Sequence, residues 1–266
     1  MKKIFTFWEP KDKIPGYIKL CMKTWEKYLP DYEVELCDYD TIKHYLTDEE
    51  YESIDFRKMP LAKQSDAIRC ALLSKHGGIW MDADTIITSG DAMKELQQGN
   101  CCMLNNGKPH TLFGAYIYAA QPNTVFMNKW LTELRPRIAA YKRAYKFRMF
   151  RFLFKRKWKQ MKSWDYCVNA IIDPLSAEML PTELVELNGE MLKVIPERLC
   201  VRPGESNKEA YIRFWFEESG DYDDSAIGSL IFLHNSWTPS GYMVMTEDDF
   251  IKQDIPLAKL LNNVLS

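Results

Sequence analysis

Ser65-Asp66-Ala67-Ile68-Arg69, followed by His76-Gly77-Gly78-Ile79-Trp80-Met81-Asp82-Ala83-Asp84, is the stretch on which the fold turns. Leu61 to Lys75 holds neither Gly nor Pro and sets Ile68 and Leu72 four apart, which predicts a helix, with Gly77-Gly78 as its stop. Asp66 and Arg69, three apart, share one face of that helix. The apolar run after the glycines reads as a short strand, and in a strand residues i and i+2 lie on one face. Asp82 and Asp84 therefore converge on one cation if the strand end stays extended. A divalent ion held by oxygen ligands can in turn grip a diphosphate. Alone, Asp-x-Asp is a weak signal that equally describes a solvated strand end.

Working outward, Lys3 to Trp8 reads as a first buried strand. A helix follows from about Ile18 to Tyr28, then a strand around Tyr32 to Cys37 and helical turns from Thr41 to Glu52. Thr85 to Thr88, Cys101 to Leu104, Ala115 to Ala120, Met191 to Ile195 and Ser229 to His234 are further strand candidates. Asn123 to Leu134, Asp165 to Asp173 and Ser176 to Leu180 look helical. Strands alternating with helices predict an α/β chain with a largely parallel, Rossmann-like sheet flanked by helices, here one domain over residues 1–266. In such sheets ligands sit beyond the carboxyl ends of strands, so the ends at Trp8, Asp82 to Asp84 and His234 are expected to face one crevice.

The 266 residues are 46% hydrophobic and 27% charged, which suits a globular enzyme domain with a sizeable core. Seven cysteines, odd in number and without a CxxC pair, read as reduced thiols. Lys2-Lys3 before an apolar run mimics an export signal, but Glu9 and Pro10 end the run too early, and no stretch approaches the ~20 apolar residues of a spanning helix. The expectation is a cytoplasmic protein.

The net charge of -2 conceals an uneven distribution, because Arg135 to Lys162 contains twelve Lys or Arg and no acid. Within it Phe147, Phe150, Phe154, Trp158 and Met161 recur at three- or four-residue steps, so a helical insertion at about 135–180 would carry an aromatic stripe flanked by cations. That composition suits a segment lying on an anionic membrane, here the inner face of the cell membrane. A stripe packed on the protein body is the plainer alternative. Nucleic-acid binding is disfavoured by the acidic remainder of the chain.

Ser-Asp-x-x-Arg followed by Gly-Gly-Ile-Trp-Met-Asp-x-Asp resembles the DXD-bearing glycosyltransferases of the GT-A type, in particular capsular polysaccharide synthesis proteins, initiating mannosyltransferases and glucosylating toxins. Lys3 to Trp8, Met22-Lys23-Thr24-Trp25 before Leu29-Pro30-Asp31-Tyr32, and His234-Asn235-Ser236-Trp237 follow in the family's order. The resemblance implies a GT-A fold and a metal-dependent, retaining hexosyltransferase using a nucleotide-sugar, UDP-linked by preference. It implies Mn²⁺ or Mg²⁺ at Asp82 and Asp84, with Ala83 between them at the nucleotide-sugar. His234 would be a further ligand and Asn235 the fallback. Ser236 and Trp237 would close over the diphosphate and Trp8 would stack on the base. Asp66 and Arg69 would read the hexose through paired hydroxyls. Asp165 and Asp173 are the acids expected near the acceptor, a bacterial surface glycan on a lipid carrier.

Each assignment has a plainer counterpart: a core histidine, a core tryptophan, a helix-surface ion pair. The family's Asn has no clear equivalent near Phe113-Gly114-Ala115. Two other classes compete with the enzyme, a catalytically silent sugar-binding or membrane adaptor protein and a metal-dependent phosphohydrolase. Intact Asp82, Asp84 and His234 weigh against the first, and four histidines are few for a two-metal site.

Overall fold

The computed structural model describes residues 2–54, 60–105, 112–146, 183–195, 200–201, 204 and 206–266. The architecture is mixed α/β, a largely parallel central sheet with flanking helices, as the alternation of elements predicts. The chain divides into two compact units, each gathered from separated segments: Met1–Leu36, Met81–Leu96 and Glu197–Ser266 in the first, Cys37–Trp80 and Gln97–Pro196 in the second.

In the first unit β1 (Lys2–Phe7) lies beside β2 (Tyr32–Cys37), with α1 (Gly16–Tyr28) between them in sequence. Pro15 starts α1 in an extended conformation, φ -61° and ψ 150°. Gly16 follows because a Cβ there would strike the backbone of Thr246, and its N–H donates to the Met245 carbonyl at 3.1 Å. Tyr17, Ile18, Leu20, Cys21, Thr24 and Trp25 form the buried face of α1. The Trp25 indole N–H donates to the Thr85 carbonyl at 2.7 Å, and the Thr24 hydroxyl accepts from Ile87 N–H at 3.0 Å. These bonds fasten α1 to β4 (Thr85–Ile87).

Beyond β4 and α4 (Gly90–Glu95), the unit resumes with β9 (Cys200–Val201), α6 (Lys208–Phe216) and β10 (Leu230–Phe232). It closes with α7 (Ser240–Met243), α8 (Glu247–Phe250) and α9 (Pro256–Leu265). β10 is the middle strand of a three-stranded sheet, antiparallel to β4 with Phe232 opposite Thr85, and parallel to β9. Tyr17, Ile18 and Cys21 of α1 share one core with Ile86, Ile231, Tyr211, Trp215, Leu257 and Leu261. α6 is absent from the sequence expectations, although Asn207 caps it by accepting from Ala210 N–H at 2.9 Å.

The second unit is built on α3 (Leu61–His76), β3 (Gly78–Met81), β5 (Cys101–Asn105), β6 (Leu112–Ala119), β7 (Glu183–Leu187) and β8 (Glu190–Ile195), with α2 (Asp48–Ile54) and α5 (Val125–Lys146). Its strand order is β3-β6-β5-β8-β7. β5 runs parallel to β8, with Cys101 opposite Leu192, and antiparallel to β6, with Cys101 opposite Ala119. Helix α3 ends where predicted, at Gly77, whose φ of +65° only glycine adopts without strain. β7, which was not expected, joins β8 through Asn188-Gly189, both at positive φ.

Helix α5 differs from its expected end at Leu134 by running on to Lys146 through Pro136. Pro136 lies on the exposed side with Thr132, so the carbonyl that loses its partner can turn to water, while Leu134 and Ile138 are buried on either side of it. The first residues of the basic island thus belong to a helix packed on the body. The stripe from Phe147 to Met161, together with Asp165 and Asp173, lies outside the described residues.

Candidate active site

Asp82, Ala83 and Asp84 do not continue the strand, as the shared-face argument required. Beyond the end of β3 they form a tight turn closed by Thr85 N–H donating to the Asp82 carbonyl at 3.0 Å. In the turn Ala83 is buried in the unit's core, while Asp82 and Asp84 on either side stay half exposed. After the turn, β4 carries the chain away.

The same turn receives the segment after β10. The Asp84 carbonyl accepts Leu233 N–H at 3.0 Å, and Asp84 Oδ2 accepts Asn235 N–H at 3.0 Å. Asp84 therefore grips the residues on both sides of His234, across 151 positions of sequence. Register explains this, since Phe232 pairs with Thr85 and the next residues past β10 must pass the acidic turn. His234 stacks on Trp237 with ring centroids 4.0 Å apart and meets the edge of Tyr211 at 6.1 Å. A 3-10 turn, Asn235–Trp237, leaves Ser236 exposed and Trp237 half-buried. Trp8 is half-buried and packs against the same core, so it combines a packing role with an accessible face.

Beneath this loop lie groups the sequence analysis did not single out. Tyr17 and Tyr211 are fully buried, and Thr238 is nearly so. Tyr17 O–H donates to Asn235 Oδ1 at 2.5 Å and lies 3.2 Å from Thr238 Oγ1. Tyr211 Oη accepts His234 N–H at 3.1 Å. Burial raises the pKa of Tyr17 well above that of an ordinary tyrosine, and the Asp84 carboxylate adds to the rise against the Thr238 hydrogen bond. Tyr211 is raised by the same burial and charge. Both phenols thus stay protonated, able to donate. No local spacing could have revealed them, because Tyr17 and Asn235 are 218 residues apart.

Among the described residues no three or more His, Cys, Asp and Glu side chains are gathered so as to hold a metal ion. Asp82 and Asp84 supply carboxylate oxygens, the ligand chemistry that Mg²⁺ and Mn²⁺ accept at nucleotide sites.

In the second unit Arg69 is 5% exposed, so the pair with Asp66 is no surface ion pair. Its Nη2 lies 3.1 Å from Asp66 Oδ1 and donates to Ser65 Oγ at 3.2 Å, while Nε donates to the Ser65 carbonyl at 3.3 Å. Nη1 donates to the Gly114 carbonyl, and the guanidinium lies 5.2 Å from the Trp80 ring centroid. A Cβ on Gly114 would come within 2.5 Å of Nη1, which explains the glycine at the place where the family's Asn was sought. Asp66 Oδ2 lies 3.4 Å from Lys63 Nζ, and the carboxylate stays partly accessible.

A family model described as "Capsular polysaccharide synthesis protein" matches residues 1–174, well over half of the chain. This chain belongs to the capsular polysaccharide synthesis protein family. The match takes in Trp8, Asp66, Arg69 and the acidic turn, whereas the His234 loop lies beyond it. No curated protein matches the chain in sequence. Solved structures similar to this family member include the PaToxG glycosyltransferase, 16% identical with a TM-score of 0.42, covering 66% of this chain and 69% of that one. Another is a glycosyltransferase involved in glycosylation of the major capsid of PBCV-1, 11% identical with a TM-score of 0.41, covering 91% and 95%. A third is the apo-form glycosyltransferase GlyE of Streptococcus pneumoniae TIGR4, 10% identical with a TM-score of 0.42, covering 98% and 62%. At such TM-scores these are likenesses only.

Proposed function

We propose that this member of the capsular polysaccharide synthesis family is a metal-dependent glycosyltransferase of the GT-A type, moving a hexose from a nucleotide-sugar, UDP-linked by preference, to a growing surface glycan with retention of configuration. The observation that carries the reading is the Asp84 clamp, which joins the acidic turn to the His234-Asn235-Ser236-Trp237 loop. Two motifs far apart in sequence meet through that one carboxylate.

Asp84, Asp82 and His234 would hold Mn²⁺ or Mg²⁺, which when bound neutralises charge developing on the departing diphosphate. The chain's own groups do the rest. Ser236 and Trp237 close over the diphosphate, and Trp8 offers a ring face to the base. Asp66 keeps an accessible oxygen edge for sugar hydroxyls. Arg69 is already spent on Ser65, Asp66 and Gly114, so its share in sugar reading is to hold Asp66 in place. Asp165 and Asp173 stay as acceptor-side candidates, and the basic island from Arg135 to Lys162 as the part that docks on anionic lipid carrying the acceptor. Among the described residues no helix is long and apolar enough to cross a membrane, which fits peripheral attachment at the inner face.

The test is incubation with UDP- and GDP-linked hexoses plus Mn²⁺, following slow hydrolysis of the donor. Turnover of one nucleotide-sugar that stops on chelation supports the reading, and inertness toward the whole panel with no binding overturns it.

A further inference from the structure

Among α2, α3 and α5, wholly within the second unit, lies a pocket of about 330 Å³ that shares no residue with the acidic turn, the His234 loop or the Asp66-Arg69 pair. About 13 Å of α3 separates Asp66 from Lys75 on the pocket wall, at the helical rise of about 1.5 Å per residue. The lining carries both signs of charge. Lys75 Nζ donates to Glu50 Oε2 at 2.6 Å, and Arg135 has no acid partner among the described residues. Partial burial raises the pKa of Glu50, but hydrogen bonds from Lys75 and Thr47 outweigh it and hold the carboxyl below its ordinary value, so Glu50 is ionised. The neutral groups have already given their protons. Ser74 Oγ donates to Asn128 Oδ1 at 2.5 Å, Asn128 Nδ2 to the Asn123 carbonyl at 3.1 Å, and Thr132 Oγ1 to the Asn128 carbonyl at 2.8 Å. A carbonyl can only accept, so the Asn123 contact sets the Asn128 amide and with it the direction of the Ser74 bond. What Ser74 and Thr132 keep are lone pairs.

This combination selects among ligands. A phosphate would accept from Lys75 and Arg135, but it has no protons for Ser74 and Thr132 and is repelled by the Glu50 carboxylate. A nucleobase finds no ring to stack on, because none of the lining residues is aromatic. A pyranose donates and accepts at every hydroxyl, and its C–H faces match the apolar part of the lining, buried Leu46, Ile54 and Ala71. A volume at the lower end of small-ligand sites suits roughly one or two sugar units. Glu50 held by Lys75 also repeats on the same helix the arrangement of Asp66 held by Arg69 and Lys63. We propose that this pocket is a second saccharide site, in which Lys75 and Arg135 donate to sugar hydroxyls while Glu50, Ser74 and Thr132 accept from them, so that a unit of the glycan is held apart from the donor site. The saccharide follows from the pocket's own chemistry; assigning it to the growing glycan rests on the transferase reading above.

Saturation-transfer NMR with a panel of free hexoses, N-acetylhexosamines and their disaccharides, without nucleotide or Mn²⁺, is the test. Wild-type protein should transfer saturation to at least one member. Thr132→Trp, which fills the pocket from an exposed helix position, should abolish the transfer, and Lys75→Gln should weaken binding about tenfold, the effect of one lost hydrogen bond to a charged group. Asp66→Ala, which removes the proposed hexose reader, should leave the transfer unchanged. Arg135→Glu, also exposed, serves in place of Thr132→Trp if that variant melts early, and should likewise abolish the transfer. A signal that survives the pocket variants in folded protein, or that disappears in Asp66→Ala, puts the sugar elsewhere and overturns the proposal, as does transfer to no member of the panel. Nucleotide-sugar hydrolysis is read separately. Hydrolysis without pocket binding refutes this site alone, whereas sugar held in the pocket by a protein that neither binds nor hydrolyses a nucleotide-sugar refutes the transferase reading and leaves the site standing.

Discussion

Asp84→Asn tests whether the acidic turn is chemical or structural, because the structure gives Asp84 both duties. Its Oδ2 accepts Asn235 N–H at 3.0 Å, a bond that a carboxamide oxygen can still accept. What changes is the charge, and charged and neutral hydrogen bonds differ by about 1 kcal/mol. The backbone bond from Leu233 N–H to the Asp84 carbonyl is untouched. The carboxylate is half exposed, which reduces the difference further. For a chain of this size, ~1 kcal/mol is a fall of roughly 2–4 °C in melting temperature.

A cation held by Asp84 makes a different demand, since neutralising one of very few anionic ligands removes most of the site's hold on metal and diphosphate. The expected outcome is a near-native melting curve with metal-dependent donor hydrolysis reduced by at least about a hundredfold, some 3 kcal/mol of lost transition-state stabilisation. Differential scanning fluorimetry and release of UDP from the preferred donor are the two readouts. A folded Asp84→Asn protein with undiminished metal-dependent turnover would sink the metal assignment, and a collapse in melting temperature would show the clamp to be mainly structural.

Gly114→Ala should push the buried Arg69 guanidinium off its carbonyl and off Trp80, lowering stability by about 2–4 kcal/mol in urea titration; a change below about 0.5 kcal/mol would mean that the two do not touch. Pro136→Ala restores a donor for the Thr132 carbonyl inside α5 and should raise stability by about 1–2 kcal/mol, whereas a loss would place Pro136 at a needed kink. Tyr17 and Tyr211 ionise above the ordinary tyrosine value of about 10 only when folded, so the stability of their neutral forms is complete below that value and is lost as pH rises through the raised folded values. The melting temperature should therefore fall from about pH 10 upward, with a shallower slope in Tyr17→Phe, and equal slopes would refute the link. Replacing Arg148, Arg151, Lys155 and Lys157 with Gln should release the protein from anionic vesicles, because each basic residue near the surface adds about 1 kcal/mol; flotation indifferent to the change would remove the membrane proposal.

Elements whose periodicity is carried by their own residues were legible in the sequence. Helix α3 with its Gly77 stop, β1 and α1 all stand within a residue or two of where the pattern put them. Helix α5 runs past its expected end at Leu134 and through Pro136, and what carries it is tertiary: Leu134 and Ile138 bury on both sides of the proline. The β7–β8 hairpin had a local signal, Asn188-Gly189, that went unused.

The acidic turn shows why motif and geometry part company. Asp-x-Asp was legible as a pair of carboxylates, and the reason first given for their convergence was strand pleat. The structure puts a turn there instead, with Ala83 buried in the core and Asp82 and Asp84 half exposed on either side. The consequence reaches the far end of the chain. A turn at this point aims the Asp84 carbonyl and Oδ2 at the residues beyond β10, so Asp84 can hold Leu233 and Asn235 while its neighbour Asp82 remains half exposed. Asn235 is thereby held from two sides, its N–H by Asp84 and its side-chain amide by Tyr17, while Ser236 beside it is exposed. No spacing rule conveys this, since the groups that hold the loop come from α1, α6 and the acidic turn, and only the packed core of the first unit brings them to it.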